Sequence, residues 1–190
     1  YIDIFKLNKN IFLNFVMPVG RGDFCKLKIN NKYINLIDES YNSNPLSLKS
    51  AILNYDKIDT NKSKKLSIID ESYNSNPLSF KFALERFNLI KSKKNKKFLL
   101  IGNMLELGKY SKKLHIKIAE YINNSKVYKT YVYGNYTKHT FNKLKPQIRG
   151  RILNNYMDIY NLINKDLPNN SYLMVKGSNS TGLNKIIQKL

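Results

Sequence analysis

Eleven residues, Ile-Asp-Glu-Ser-Tyr-Asn-Ser-Asn-Pro-Leu-Ser, occur twice in this chain, at 37–47 and again at 69–79, without a difference. Each copy gathers groups suited to binding polar ligands. Asp38 and Glu39, like Asp70 and Glu71, can accept hydrogen bonds from hydroxyl or ammonium groups. Ser40, Asn42 and Asn44, matched by Ser72, Asn74 and Asn76, add short donors and acceptors. The same residues also suit ordinary local structure: Ser47 or Ser79 can cap a helix, and an Asn-Pro pair makes a turn.

The elements around each copy decide where it would sit. An apolar, strand-like run precedes each loop (33–37 and 66–69), and a helical pattern follows it (46–55 and 78–90). In open α/β sheets, a loop leaving the C-terminal end of a strand for a helix N-terminus is the usual ligand position. The likeness runs beyond the loop: at an offset of 32 residues, Lys49 matches Lys81, Ala51 matches Ala83 and Tyr55 matches Phe87. The duplicated piece is therefore a whole βα unit, residues 36–67 and 68–99. A parallel sheet takes an extra strand only at an edge or by displacing another. One copy is expected to fill the regular place while the other packs at an edge or bulges out; which does so is left open.

The remainder reads as α/β alternation. Runs 24–29 and 33–37 flank Asn30-Asn31-Lys32 and predict a β-hairpin. Strands are expected at 98–101, 130–133 and 172–175, with helices at 111–122, 156–163 and 182–190. Residues 1–17 read as strands finishing something upstream, with a boundary near Pro18 and Gly20. The fold class is α/β: a three-layer, Rossmann-like, mostly parallel sheet with an N-terminal hairpin and a duplicated βα unit.

Three further loops carry candidate groups. Arg21 lies between Gly20 and Gly22, where backbone can approach a ligand and a guanidinium suits phosphate. Residues 102–108 follow a buried strand and include Asn103 and Glu106. Lys176-Gly177-Ser178-Asn179-Ser180 joins a cation and a flexible glycine to a helix start, a cradle for a carboxylate. His115 and His139 have neither a metal-ligand partner at i+4 nor a nucleophile nearby, and read as structural. Cys25 stands alone, which excludes an intramolecular disulfide and a cysteine metal cluster.

Composition narrows the classes. The 190 residues suffice for one domain with a proper core, and 42% hydrophobic content with 14 Tyr and 9 Phe is globular. No apolar run approaches the roughly 18–20 residues of a membrane span. The first residues carry no initiator Met and no signal-peptide pattern, which suggests a chain beginning mid-gene. The net charge of +20 raises the possibility of a nucleic-acid partner. Against it, lysines are spread over the whole chain and arginine occurs only at Arg21, Arg86, Arg149 and Arg151, whereas nucleic-acid readers favour arginine.

Four stretches in register (20–22, the repeated loop, 100–108 and 175–180) resemble the C-terminal domain of the Mur ligases, nearest to the MurF branch of that family. The resemblance covers nearly the whole chain. It implies that residues 1–17 end a central ATP-binding domain and that 18–190 form the C-terminal domain. It implies an ADP-forming ligase of peptidoglycan synthesis, which activates a carboxylate of UDP-N-acetylmuramoyl-tripeptide as an acyl-phosphate and joins it to D-alanyl-D-alanine. By motif position, ATP contacts fall to Arg21, Glu39 or Glu71, Asn42 or Asn74, and Asn44 or Asn76. D-alanyl-D-alanine contacts fall to Lys176, Ser178, Asn179, and Tyr41 or Tyr73. The family usually has Asp where this chain has Asn103, so a charge-based role is lost there and a hydrogen-bonding one remains.

No Gly-x-x-x-x-Gly-Lys-(Ser/Thr) loop occurs in the chain. ATP and Mg2+ are therefore expected to be held mainly by the central domain, and this chain alone is not expected to turn over. A cytoplasmic monomer follows from the resemblance. The rival readings are a basic nucleic-acid-binding module and a non-functional remnant.

Overall fold

A computed structural model describes residues 23–29, 32–39, 65–90 and 95–189. The expected helix at 46–55, the strands at 1–17, and Arg21, Ser40, Tyr41, Asn42, Asn44 and Ser47 lie outside them. The seven strands are β1 (Asp23–Ile29), β2 (Lys32–Asp38), β3 (Lys65–Glu71), β4 (Lys97–Gly102), β5 (Lys129–Tyr133), β6 (Arg149–Leu153) and β7 (Ser171–Lys176). They form one sheet in the order β1-β2-β3-β7-β4-β5-β6, parallel throughout except for the antiparallel β1–β2 hairpin.

Alternate residues of each strand feed two cores. Ile69, Leu99, Ile101 and Met174 face helices α1 (Pro77–Leu89) and α2 (Ser111–Asn123), through Phe80, Leu84, Phe87, Ile118 and Ile122. Leu66, Ile68, Leu100, Leu173 and Val175 face α4 (Tyr156–Asn161) and α5 (Leu183–Gln188), through Ile159 and Ile187. Helices on both faces explain why β4 and β7 are buried along their full length. These are the three layers anticipated from the α/β alternation.

Two elements escaped the pattern reading. Helix α3 (Thr137–Lys143) is a seven-residue helix with only Thr137 and Thr140 buried, too short and polar to show an apolar stripe. Strand β6 is the sheet's outer edge, and its Arg-Gly-Arg start hides the strand character. The helix expected over 156–163 ends at Asn161 and continues as a π-helical turn over Leu162–Asp166.

The repeat is accommodated differently from the edge-or-bulge expectation. Strand β2, from the first copy, pairs with β1 on one side and β3, from the second copy, on the other. The strands that lead into the two loops therefore both lie inside one continuous sheet, and β3 is flanked by parallel strands on both sides. Chain order runs outward from β4 to β6 and then returns through α4 to β7, which lies between β3 and β4. That reversal brings the loops after β3, β7 and β4 together at one end of the sheet.

Candidate functional site

Loops 72–76, 177–180 and 103–108 enclose a cleft of about 560 Å³. Its walls include Tyr73, Asn74, Asn76, Leu105, Glu106, Ser178 and Asn179. Backbone bonds tie the loops together. Asn179 N–H donates to the Tyr73 carbonyl at 2.7 Å, and Ser178 N–H donates to the Asn103 carbonyl at 3.0 Å. The Ser178 hydroxyl oxygen accepts from Leu105 N–H at 2.9 Å.

Beneath the cleft lies a buried ion pair. Lys176 Nζ sits 3.2 Å from Glu71 Oε2, with both side chains at 0% exposure. The ammonium also donates to the Asn74 carbonyl at 2.8 Å. Strand register produces this arrangement, because Glu71 and Lys176 are partners at the C-terminal ends of adjacent parallel strands. Lys176 thus holds the second-copy loop from below. Arg86 on α1 adds a second cation within electrostatic reach of Glu71.

The remaining expected site residues divide by position. Tyr73, Asn74, Ser178 and Asn179 line the cleft, while Glu71 and Lys176 are fully buried and are not part of its lining. Asn76 also lines it, but its side-chain oxygen caps α1, accepting from Leu78 N–H at 3.0 Å and Ser79 N–H at 2.9 Å. Ser79 returns the bond, accepting from Asn76 N–H at 3.0 Å, which completes a capping box. Glu106 is exposed at the rim with φ of +64°. Of the first copy's candidate groups, Asp38 and Glu39 are described, both buried. Ser75 was not singled out by sequence; it is 3% exposed, lines the cleft, and its hydroxyl has no hydrogen-bond partner among the described residues.

A smaller cleft of about 280 Å³ adjoins the first at Leu105 and Ser180, and is also walled by Asn103, Asn135, Lys138 and Asn154. Asn103 Oδ1 accepts from Tyr136 N–H at 3.1 Å and Thr137 N–H at 3.3 Å, fixing the start of α3. Gly134 makes room for it: a Cβ there would meet Asn103 Oδ1 at 2.6 Å, and its φ of +109° suits glycine alone. The hydrogen-bonding role left to Asn103 is therefore filled internally.

His115 is buried on α2, and Cys25 is exposed on β1. Among the described residues, no group of three His, Cys, Asp or Glu could hold a metal ion. No helix among them is long and apolar enough to cross a membrane.

Residues 58–179 match the family model described as Mur ligase, glutamate ligase domain. The chain belongs to the Mur ligase family. Among solved structures, it is similar to the MurF ligase of Thermotoga maritima in complex with ADP. The TM-score is 0.56 at 17% identity, over 99% of this chain and 33% of that one. It is also similar to a MurF of Acinetobacter baumannii, at TM-score 0.58 and 16% identity over 93% of this chain and 31% of that one. At these identities the likeness shows the shared Mur ligase C-terminal fold. The chain spans about a third of the length of the MurF structures it matches. No curated protein sequence matches it. The family match begins at residue 58, so among the two repeats it covers the complete loop of the second copy.

Proposed function

We propose that the chain serves as the C-terminal domain of a MurF-type ligase, which joins D-alanyl-D-alanine to UDP-N-acetylmuramoyl-tripeptide in peptidoglycan synthesis at the expense of ATP. The observation that carries this reading is the cleft formed where the second-copy loop, the 176–180 loop and the 103–108 loop converge, in a chain of the Mur ligase family. Its lining is polar apart from Leu105 and Leu107, and Glu106 is the charged residue in it. Such walls suit ribose hydroxyls and the amide and ammonium groups of a dipeptide.

Asn74, Ser75 and Asn76 form the side that receives nucleotide, and Tyr73, Ser178 and Asn179 the side that receives the dipeptide. Glu71 and Lys176 act beneath them. By pairing with each other, they hold the Asn74 carbonyl and its loop in one place without placing a charge in the cleft. The polar groups of the lining suit the ribose and base of a nucleotide, and among the described residues no group of three His, Cys, Asp or Glu could hold a metal ion. In the complete ligase, the ATP phosphates and Mg2+ are then held by the family's central domain, where they supply carboxylate activation. Closing this domain over that one positions the attacking amine and excludes water.

The test is an NMR titration of the chain with ADP and, separately, D-alanyl-D-alanine at millimolar concentration. Shifts are expected to concentrate at 73–76, 103–107 and 178–180, and Asn74→Ala should weaken them. Saturating additions that leave all three loops unshifted would overturn the proposal.

A further inference from the structure

His115 is 1% exposed and takes no part in the cleft wall, yet both of its ring nitrogens are engaged. Nδ1 lies 2.8 Å from the Ser111 carbonyl, which can only accept, so Nδ1 carries a proton. Nε2 lies 3.0 Å from Met104 N, whose N–H can only donate, so Nε2 must be bare. The surroundings thus select one neutral tautomer.

Met104 sits at the middle of the connection between the two anchors of the β4 loop. On either side of it, the Asn103 carbonyl and the Leu105 N–H bond to Ser178, on the loop after β7. His115 secures the opposite side, from α2. The ring is itself braced, stacking on Tyr136 at 5.5 Å between centroids, while Thr140 donates to the His115 carbonyl at 2.6 Å.

We propose that His115 is a positioning residue: its neutral imidazole pins the 103–107 loop in the shape that lines the cleft, and its protonation releases that loop. Protonation would turn an N–H of Nε2 onto the Met104 N–H, leaving two buried donors face to face. The groups around the ring discourage this near neutrality. Burial pushes the imidazole below its ordinary range, the Ser111 carbonyl on its own helix pulls it back, and His139 on α3 adds a like charge. From the β4 loop the Met104 backbone faces it, and from the start of α3 the Tyr136 ring. Release therefore requires a pH below the ordinary imidazole range. That it alters ligand binding rests on the reading of the cleft given above; the pin itself does not.

Amide hydrogen exchange at Met104 and Leu105, measured on the whole chain from pH 8 to pH 5 and corrected for intrinsic rates, tests the pin. Ring nitrogen shifts of His115 recorded on the same samples report its tautomer and protonation. The expected result is the Nδ1–H tautomer at pH 8, and protection of both amides that falls about tenfold or more as the ring protonates. His115→Gln, which keeps an acceptor but cannot titrate, should stay protected across the range. His115→Phe, which keeps the ring stack without an acceptor, should be poorly protected throughout while still melting cooperatively. Protection that stays flat through the ring's titration, or a Gln variant that loses protection with acid as the wild type does, would overturn the proposal. None of these readouts involves a ligand, so failure of ADP or the dipeptide to bind would be a separate result.

Discussion

Asp38 and Asp70, the same residue of the two repeats, are direct register partners on adjacent parallel strands. Duplication has set two carboxylates side by side near the end of the sheet, with Asp70 fully buried. Asp70 Oδ1 accepts from the Ser72 amide at 2.9 Å and from the Ser72 hydroxyl, while Oδ2 has no hydrogen-bond partner among the described residues. Its carboxyl is pushed up to about 6, chiefly by burial and to a lesser degree by Asp38 and Glu71, with the Ser72 bonds opposing the rise.

The sign of the consequence follows. A carboxyl raised in the folded state binds its proton more tightly there than in the unfolded chain, so ionised Asp70 costs stability above about pH 6. The cost fades as the pH falls below that value toward the ordinary carboxylate range. A shift of this size corresponds to about 3 kcal/mol. Asp70→Asn keeps an acceptor for Ser72 and should gain stability relative to the wild type at pH 7.5. The gain should shrink steadily toward pH 4 in urea unfolding; a pH-independent difference would contradict it.

Lys176→Met should be strongly destabilising, by about 3–5 kcal/mol, because it strips a fully buried carboxylate of its bonded cation. Pairing it with Glu71→Gln should recover much of the loss, since the uncompensated charge is then gone. Thermal melts of the two single variants and the double variant give the coupling directly. Additive losses would mean that the pair is not interacting.

Ser178→Ala removes the acceptor for Leu105 N–H and should cost about 1 kcal/mol. Because that bond joins the β4 loop to the β7 loop, dipeptide and ADP titrations should weaken by more than the stability change suggests. The Leu105 amide shift in a proton–nitrogen spectrum identifies the bond that was lost.

Excising residues 38–69 joins Ile37 to Asp70 and restores one uninterrupted copy of the repeated loop. Since Asp38 and Asp70 occupy equivalent register positions, the hairpin should then pair directly with β7 in a six-stranded sheet. The Glu71–Lys176 pair, α1 and the cleft loops all remain in that chain. It should melt cooperatively, with helix and strand content close to that of the parent minus one βα unit. A molten, non-cooperative product would show that the extra unit has become essential.

Much of this was legible in order. Apolar runs announced β2 to β5 and β7, and the helical pattern over 78–90 announced α1 (Pro77–Leu89). The hairpin followed from two such runs around an Asn-Asn-Lys turn. Short or edge elements were not legible, because α3 and β6 bury too few side chains to leave a pattern.

The motif residues of the second-copy loop, with Ser178 and Asn179, were singled out by residue type together with the family resemblance, and Tyr73, Asn74, Asn76, Ser178 and Asn179 line the cleft. Their division of labour was not. Asn76 and Asn74 look alike in the chain, yet one side chain caps a helix while the other residue lends its carbonyl to Lys176. Lys176 reads as a free cation beside a glycine, and becomes a buried strut only because β7 lies next to β3. Ser75 and His115 gain significance for the same reason, from partners or emptiness supplied by distant segments.

Local propensity and periodicity therefore determined most of the elements, since these depend on neighbours within a few turns of chain, while the repeat and the family resemblance lay in the identity and order of the motifs. Tertiary structure decided how an extra strand could join the sheet without breaking it. It also decided which polar groups face the cleft and which are spent holding it. Those outcomes depend on which strands become neighbours, and a buried charge or an unshared hydrogen bond takes its character from what lies across the gap.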